Sequence, residues 1–532
     1  MLEPAYQADV VVVGAGVAGL AAAHRLTSAG VSTVVLEAAP GAGGRMATEK
    51  VDGFRLDRIG RLLSTAVPEL RDAPGPAGLV LRPFAPGVLL HSDGRHHHAG
   101  APAGPGSEGG ARSARGAFRA MRALAGAPRP VPAAGAPAAG PSAPGVSGGR
   151  SAPAHGPLVP AAPGRLLAGV PGRLGSVPAR LASASGRFAA GPGRRTGAAP
   201  GVPGRPVSLP RIRAGAPLGT AVDQARLGAA LARLAATPVE RLLARPELPA
   251  AEALAARGLP SRAIEGFLRP LLTALLYDPG LTTSSRCADL ALHAFAGGRL
   301  CLPEGGAESL PRLLADALPP GTVHTGVRVT AVATNAVTTA DHGVIRCRAV
   351  LVATDARAAA ELLPGLRVPG FHSVTVVHHT TDEPPATGTG LLLDADRGGP
   401  VAHTAVVSEV DPSRAPSGRT LVSSTVLGPP PPDTDSAVRT HLSRLYGVST
   451  ARWETLAVHH TSEAVPEMRP PHDLRRPVRL LTGLYVCGDH RDTSTVQGAL
   501  RSGRRAAAAV LADLGTDRPM HTAEPVPTAR AA

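Results

Sequence analysis

Three glycines close to the N-terminus are spaced for binding the phosphates of a dinucleotide. Gly14, Gly16 and Gly19 form a G-x-G-x-x-G motif that follows a run of four valines and opens an alanine-rich segment. The first glycine of this motif allows a tight turn, the second lets the backbone approach a pyrophosphate, and the third lets a helix pack closely on a strand. The start of that helix presents free N–H groups and a positive dipole end to the phosphates. The predicted phosphate-binding segment is Gly14, Ala15, Gly16, Val17, Ala18 and Gly19.

An acidic residue follows at a spacing that suits a ribose. Glu37 ends a second valine-rich run, twenty-three residues after Gly14. A carboxylate at this point can accept hydrogen bonds from both hydroxyls of an adenosine ribose, and an acid instead of an arginine disfavours a 2′-phosphate. We therefore predict a dinucleotide site that includes Glu37 and the adjoining Ala38.

A Gly-Gly-Arg turn comes soon after the ribose acid, at Gly43, Gly44 and Arg45. Together with the two preceding features, this turn resembles the signature of the FAD-dependent oxidoreductases that include amine oxidases, protoporphyrinogen oxidases and phytoene desaturases. The resemblance implies FAD as the cofactor, with Arg45 and the neighbouring backbone amides facing its flavin part. It also implies that the main chain at Val329 contacts the adenine.

The last motif of this family is recognisable near the C-terminus. Gly488 and Asp489 end a short apolar run, and Val496 and Gln497 follow at a predicted helix start. By resemblance, Asp489 hydrogen-bonds the ribityl or pyrophosphate part of FAD. The amides of Val496 and Gln497 face the isoalloxazine carbonyl, where negative charge builds up on reduction.

Two departures from the amine oxidases favour another branch of the family. Amine oxidases carry a lysine linked through water to the flavin, whereas the single lysine of this chain is Lys50. They also carry an aromatic residue near the start of the last helix, where this chain has Thr495 and Val496. The resemblance is therefore better to the phytoene desaturases, in which the flavin accepts a hydride from an apolar substrate with little acid or base chemistry. No catalytic side chain is predicted.

Two other functions stay open from the sequence. One is an amine oxidase-like activity, and the other is a non-catalytic or inactive member of the same fold, such as the prenyl-protein escorts. Intact Glu37, Arg45 and Asp489 favour an enzyme, because the escorts generally lack a competent flavin site. After Asp57 the chain departs from the family pattern, with residues 58–61 where the family usually keeps a glycine close to the flavin.

The net charge of +15 is concentrated in one segment. Residues 99–217 hold fifteen arginines and a single acid, Glu108, which is a balance of +14. Because this segment has almost no aromatic residues to stack on bases, it does not indicate nucleic-acid binding. Its composition of Gly, Pro, Ala and Arg predicts either a disordered insertion or a frameshifted reading of a folded domain.

Composition and local pattern limit the partners and the location. Adjacent histidines such as His378 and His379 would point to opposite faces of a strand, so no metal site is predicted. No apolar run reaches eighteen residues and no cationic leader precedes the first strand, so we predict a cytoplasmic protein, with peripheral membrane contact left open. The expected partner is a small apolar substrate, and the sequence does not predict the oligomeric state.

The elements that must position these residues predict an α/β protein. We expect a Rossmann-like, discontinuous FAD-binding domain combined with an α+β substrate domain. Strands are predicted at 323–332 and 401–410, and a helix at 261–277. The predicted segments are 8–90, 297–365 and 475–514 for the FAD-binding domain, 218–296 and 366–474 for the helices and sheet of the substrate domain, and 99–217 and 515–532 for disordered chain.

Overall fold

The computed structural model describes residues 8–71, 78–100 and 217–515. Its strands are β1 (Ala8–Val13), β2 (Thr33–Glu37), β3 (Thr48–Val51), β4 (Phe54–Asp57), β5 (Leu63–Ser64), β6 (Leu81–Pro83), β7 (Val88–Ser92), β8 (Arg95–Ala99), β9 (Leu300–Pro303), β10 (Val323–Thr325), β11 (Val329–Val332), β12 (Ala336–Thr339), β13 (Val344–Val352), β14 (Phe371–Thr381), β15 (Leu392–Asp394), β16 (Val401–Val406), β17 (Thr420–Leu427), β18 (Glu454–Pro466), β19 (Arg479–Leu481) and β20 (Leu484–Val486). Its α-helices are α1 (Val17–Ser28), α2 (Pro68–Arg71), α3 (Ala221–Ala235), α4 (Val239–Leu243), α5 (Ala250–Ala256), α6 (Ser261–Ala263), α7 (Arg269–Leu276), α8 (Ser285–Gly297), α9 (Ser309–Asp316), α10 (Ala356–Leu362), α11 (Val407–Val410), α12 (Thr434–Tyr446) and α13 (Val496–Leu514).

The first sheet brings together strands from both ends of the chain. Its order is β10-β2-β1-β13-β12-β11, and β20 pairs with β13 on one side and β19 on the other. The pairs β10–β2, β2–β1, β1–β13 and β13–β20 are parallel. Both faces of a parallel sheet are covered by other layers of the protein, so successive side chains of its strands are all buried. This burial explains the valine-rich runs in these strands. Val11 and Val350, which face each other in the register of β1 and β13, are fully buried.

Two helices from opposite ends of the sequence pack against each other on this sheet. Small residues allow the close approach, because a Cβ at Gly503 of α13 would overlap the carbonyl oxygen of Ala18 in α1. In the same way, a Cβ at Gly19 would overlap the carbonyl oxygen of Gly14. Gly14 and Gly16 lie between the end of β1 and the start of α1, and Gly19 lies in the first turn of α1.

The second sheet is almost entirely antiparallel, in the order β18-β14-β17-β16-β15-β7-β8. The parallel pair in it is β15–β7, with Leu392 opposite Leu89. The predicted mixed α/β fold is confirmed by these two sheets. Residues 88–90, which the sequence assigns to the FAD-binding domain, lie in β7 of this second sheet. Val88 and Leu90 belong to one buried cluster with Leu391 and Leu393, a pairing that local pattern cannot reveal. Leu89 belongs to a second cluster with Leu392.

Three local predictions need correction. The strand predicted over 323–332 is two strands, because the backbone turns at Gly326 with φ of +74°. The strand predicted over 401–410 ends at Val406, and α11 follows it. The helix predicted over 261–277 contains a π-helical turn, Ile264–Leu268, which ends two residues before Pro270. Because proline has no N–H, the preceding turn is free to widen.

A buried arginine fixes the segment that follows β4. Arg414 donates from Nη1 to Asp57 Oδ2 at 2.7 Å and from Nε to Asp411 Oδ2 at 3.0 Å. Asp57 also accepts the backbone N–H of Ala307 at 2.8 Å. Because a buried charge is stable only with its counter-charges and hydrogen bonds in place, this network holds the end of β4. It therefore also determines where residues 58–61 begin.

Two predicted segments cannot be followed in the structure. The predicted disordered segment at 99–217 and the predicted tail at 515–532 lie almost entirely outside the described residues. Among the helices that the structure describes, none has the length and apolarity needed to cross a bilayer.

Candidate functional site

A cavity of about 660 Å³ opens where the parallel strands of the first sheet end. Its walls come from the loops after β1, β2, β13 and β20 and from the start of α13. The volume falls in the range of pockets that hold small molecules and cofactors. Thirteen of the predicted site residues line it: Gly14, Gly16, Val17, Ala18, Glu37, Ala38, Gly43, Gly44, Arg45, Val329, Gly488, Asp489 and Val496.

The other three predicted residues do not line the cavity. The backbone N–H of Ala15 donates to Glu37 Oε2 at 2.7 Å, so Ala15 serves the site through that carboxylate. Gly19 lies against the carbonyl of Gly14 and provides close packing. Gln497 stands on the first turn of α13, partly exposed.

Glycines shape the floor of the cavity. Gly14 has φ of +105°, which allows the tight turn between β1 and α1, and its N–H donates to the carbonyl of Leu36 in β2 at 2.7 Å. A Cβ at Gly16 would meet no protein atom and would project into open space. Gly44, with φ of +57°, faces Gly16 closely enough that an added Cβ would lie 3.7 Å from its Cα. The two loops therefore form a cradle of bare backbone, which fits the pyrophosphate of a dinucleotide.

Glu37 is held rigidly at the end of β2. Its Oε2 accepts from Ala15 as described, and its Oε1 accepts the N–H of Ala39 at 2.9 Å. Each carboxylate oxygen can accept a further hydrogen bond, so the group keeps the capacity to bind hydroxyls. Glu37 therefore lies at the edge of the cavity with acceptor capacity left for a ligand.

Arg45 and Asp489 form an ion pair at the other end of the cavity. Arg45 Nη2 lies 2.5 Å from Asp489 Oδ1, and Arg45 Nη1 donates to the carbonyl of Ala464 at 3.0 Å. Burial opposes ionisation of the Asp489 carboxyl, but the charge and hydrogen bond of Arg45 lower its pKa. Burial likewise opposes the charge of Arg45, and Asp489 outweighs it and raises the pKa of the guanidinium. From the sequence, these two residues are predicted as separate contacts to FAD, and their pairing is not predicted.

Arg61 also lines this end of the cavity, and the sequence analysis did not select it. Its Nη2 donates to the carbonyl of Ser494 at 3.1 Å, and its guanidinium carbon lies 5.0 Å from the ring centroid of Tyr277. The Tyr277 hydroxyl donates to the carbonyl of Gly60. Burial lowers the pKa of Arg61. The departure from the family pattern after Asp57 was the available signal, but its placement depends on two distant segments.

Two residues considered in the sequence lie outside the cavity. Lys50 is exposed on β3 and lies 4.0 Å from a carboxylate oxygen of Glu308. His490 is buried beside Asp489 without lining the cavity, and burial lowers its pKa to about 4. At neutral pH its imidazole is therefore uncharged.

One group of side chains with metal-ligating atoms lies outside the cavity lining in the described part of the chain. Ligand atoms of His91, Asp394 and Asp396 all lie within 4.8 Å of one another. The carboxylates are already engaged, since Asp394 accepts the N–H of Gly398 at 2.7 Å and Asp396 accepts that of Asp93 at 2.8 Å. The group is accounted for as loop stabilisation.

Comparisons with known proteins define the class. A model of the flavin-containing amine oxidoreductase family matches residues 17–511. The chain therefore belongs to this family, and it is an FAD-dependent oxidoreductase. Membership favours the enzyme over the non-catalytic escort considered from the sequence.

Individual relatives are similar over different lengths. Putrescine oxidase of Kocuria rosea is 43% identical over 108 residues, which cover 19% of this chain and 23% of that enzyme. A structure of putrescine oxidase bound to putrescine is 16% identical, with a TM-score of 0.56 over 95% of this chain and 99% of that one. Cyclohexylamine oxidase from Brevibacterium oxydans is 16% identical, with a TM-score of 0.55 over 96% of this chain and 99% of that one. At this identity the structural likeness establishes the fold alone.

Proposed function

We propose that the first sheet, with α1 and α13, is a Rossmann-like domain that binds FAD in the 660 Å³ cavity. The bare backbone cradle at Gly16 and Gly44 is the observation that carries this proposal, because a side chain at Gly16 would project into the cavity. The ligand crevice of an open parallel sheet lies at the carboxyl ends of its strands, which also supports the proposal. The second sheet and the helices of 218–296 form the proposed substrate domain.

Each end of the cavity has a proposed role. Glu37 would accept hydrogen bonds from the adenosine ribose, and the segment from Gly14 to Gly19 would receive the pyrophosphate, with Val329 beside the adenine. Asp489, oriented by Arg45, would bind the ribityl or pyrophosphate part. FAD supplies the hydride acceptor when bound, and the protein contributes orientation and electrostatics.

The start of α13 supports the proposed orientation of the isoalloxazine. Thr495 caps this helix by accepting the N–H of Gly498 through Oγ1 at 3.1 Å. Within the described residues, the N–H groups of Val496 and Gln497 have no hydrogen-bond partner. Free N–H groups at a helix start stabilise a negative charge that lies close to them. They would therefore face the isoalloxazine carbonyl.

For the substrate, we propose an apolar molecule that loses a hydride from its carbon skeleton, as in the phytoene desaturases. Lys50 is exposed and outside the cavity, so the lysine of the amine oxidases has no counterpart at the described site. Arg61 brings a second guanidinium to the end of the cavity that Arg45 occupies, and this positive charge disfavours a protonated amine.

A purified protein tests both parts of the proposal. We expect the absorption bands of oxidised flavin, release of FAD on denaturation, and anaerobic bleaching of the flavin by polyene hydrocarbons. Putrescine and cyclohexylamine should leave the flavin oxidised. A protein that binds no FAD would contradict the placement of the cofactor, and a flavin that only amines reduce would contradict the substrate class.

Amine oxidation is the second candidate. The 43% identity to putrescine oxidase over 108 residues favours it. The same anaerobic experiment separates the two candidate functions. Reduction of the flavin by putrescine or cyclohexylamine would indicate an amine site that works without the lysine of the amine oxidases.

A further inference from the structure

Arg61 lines the cavity but forms no ion pair with a carboxylate, unlike the neighbouring Arg45. Within the described residues, no carboxylate oxygen lies within 4.0 Å of its guanidinium, whereas Arg45 has Asp489 at 2.5 Å. The hydrogen bond from Arg61 goes to a neutral carbonyl, that of Ser494, and the ring of Tyr277 covers one face. Neither contact supplies a full negative charge.

Without a ligand, the position of Arg61 is energetically unfavourable for the protein. Arg61 is partly buried, and removing a guanidinium from water without a counter-charge in contact is unfavourable. Burial lowers its pKa, and the repulsion from Arg45 is opposed by the attraction of Asp489. Arginine stays ionised in proteins, so the charge cannot be relieved by loss of a proton. A ligand that carries or develops negative charge in this part of the cavity would compensate it.

The position of Arg61 points to the flavin end of the cavity. Ser494, which accepts its hydrogen bond, immediately precedes the N-cap residue Thr495 of α13. The charge of Arg61 is also close enough to Arg45 and Asp489 to interact with both. The ribose acid Glu37 belongs to the opposite side of the glycine cradle.

We propose that Arg61 supplies a fixed positive charge that stabilises the negative charge the isoalloxazine gains on reduction, and so raises the reduction potential of the bound FAD. This inference rests on the proposed placement of FAD. Arg61 would act together with the N–H groups at the start of α13, and Tyr277 and Ser494 would hold its guanidinium in place. The charge is constant with pH because arginine does not titrate in this range.

The test compares R61Q with R61K and with a matched control, R58Q. Arg58 lies three residues earlier in the same segment and is exposed outside the cavity, so R58Q removes the same charge without changing the lining. Each variant is loaded with FAD, its flavin stoichiometry is checked, and the midpoint potential is measured by equilibration with a reference dye. We expect R61Q to lower the equilibrium constant for reduction at least tenfold, which is about 30 mV for a two-electron couple. R61K and R58Q should change it less than threefold.

Every outcome bears on the inference. An R61Q protein with full FAD content and an unchanged potential would overturn it. Benzoate serves as a carboxylate probe, because binding beside the flavin perturbs the visible spectrum. If R61Q weakened benzoate binding tenfold and left the potential unchanged, Arg61 would instead bind a substrate carboxylate, and the inference would be wrong.

If R61Q does not retain FAD, R61M gives the same test, because the methionine side chain fills part of the same space and carries no charge. We expect its potential to correspond to at least a tenfold weaker reduction than in the wild type. An R61M protein with full FAD content and the wild-type potential would overturn the inference. Wild-type protein without FAD would instead contradict the proposed function, so the two failures are distinguishable.

Discussion

At the scale of single residues, the site depends on how charges are paired across the cavity. Arg45 and Asp489 are 444 positions apart in sequence, and each stabilises the ionised form of the other. Asp489 is almost fully buried, whereas Arg45 is about one-third exposed, so the pair is partly screened by solvent. Asp489 neutralises the charge of Arg45, whereas Arg61 has no carboxylate in contact. The positive charge available to a ligand in the cavity therefore comes from Arg61.

We predict that D489N weakens both folding and FAD binding. The substitution leaves Arg45 without its counter-charge, and we expect a loss of about 1–3 kcal/mol in the free energy of unfolding. Urea unfolding of the FAD-free protein and a fluorescence titration with FAD measure the two effects. E463Q is the control, because it breaks the exposed ion pair between Arg357 and Glu463 and should leave both quantities unchanged. Wild-type FAD affinity in D489N would contradict the role of this carboxylate.

At the scale of elements, the close contact between α1 and α13 links the two ends of the chain. Gly503 has no room for a side chain because the carbonyl of Ala18 lies against its Cα. The same two helices begin at the cavity, so their separation determines whether Gly16 and Val496 face a common ligand. The π-helical turn at Ile264–Leu268 lies near Tyr277 and is a second element that local propensity does not reveal.

We predict that G503A forces α1 and α13 apart. An overpacked contact of this kind costs about 1–3 kcal/mol of stability, and FAD affinity should fall because the cradle widens. Thermal unfolding with and without FAD gives both effects. G228A is the matched control, since Gly228 is exposed in α3 and a Cβ there meets no other atom. We expect G228A to stabilise the protein by about 0.5–1 kcal/mol, as alanine favours a helix interior. Unchanged stability and FAD affinity in G503A would contradict the prediction and would show that the two helices can move apart without cost.

At the scale of the whole molecule, buried histidines couple folding to pH. His378, His403 and His490 are each less than 10% exposed. Burial lowers the pKa of each to about 4, from the ordinary value of 6.5. They lie in the second sheet and beside the cavity, so both parts of the protein are affected.

We predict that the stability falls as the pH is lowered from 6.5 towards 4. In this range these histidines bind protons in the unfolded chain but not in the folded protein. Each of them therefore lowers the free energy of unfolding by up to about 1.4 kcal/mol per pH unit. Urea unfolding at pH 7.5, 6 and 5 measures the slope. H403F should reduce the slope, because it removes one titrating group from a buried position, whereas H98N, at an exposed position, serves as the control. A flat profile between pH 7.5 and 5 would contradict the prediction.

The sequence by itself determined the parts of the site that depend on local residue types. Glycine spacing predicts a turn and a helix start because only glycine tolerates those backbone angles and close contacts, and Glu37 is positioned by the strand that it ends. The start of α13 at Val496 was also correct from the sequence, since the cap at Thr495 is local. The valine run that forms β1 was recognised in the same way, whereas the bounds of the strands predicted at 323–332 and 401–410 were not.

Tertiary structure alone decided what long-range contacts control. Arg61 is held at the cavity by Tyr277 and Ser494, which lie more than 200 and 400 positions away in the sequence. Strand β7 belongs to the second sheet because it pairs with β15, with Leu89 opposite Leu392. A sequence pattern reports the environment that a residue prefers, but not which distant segment provides it. The pairing of Arg45 with Asp489 likewise joins the turn after β2 to the segment after β20, which only the folded chain brings together.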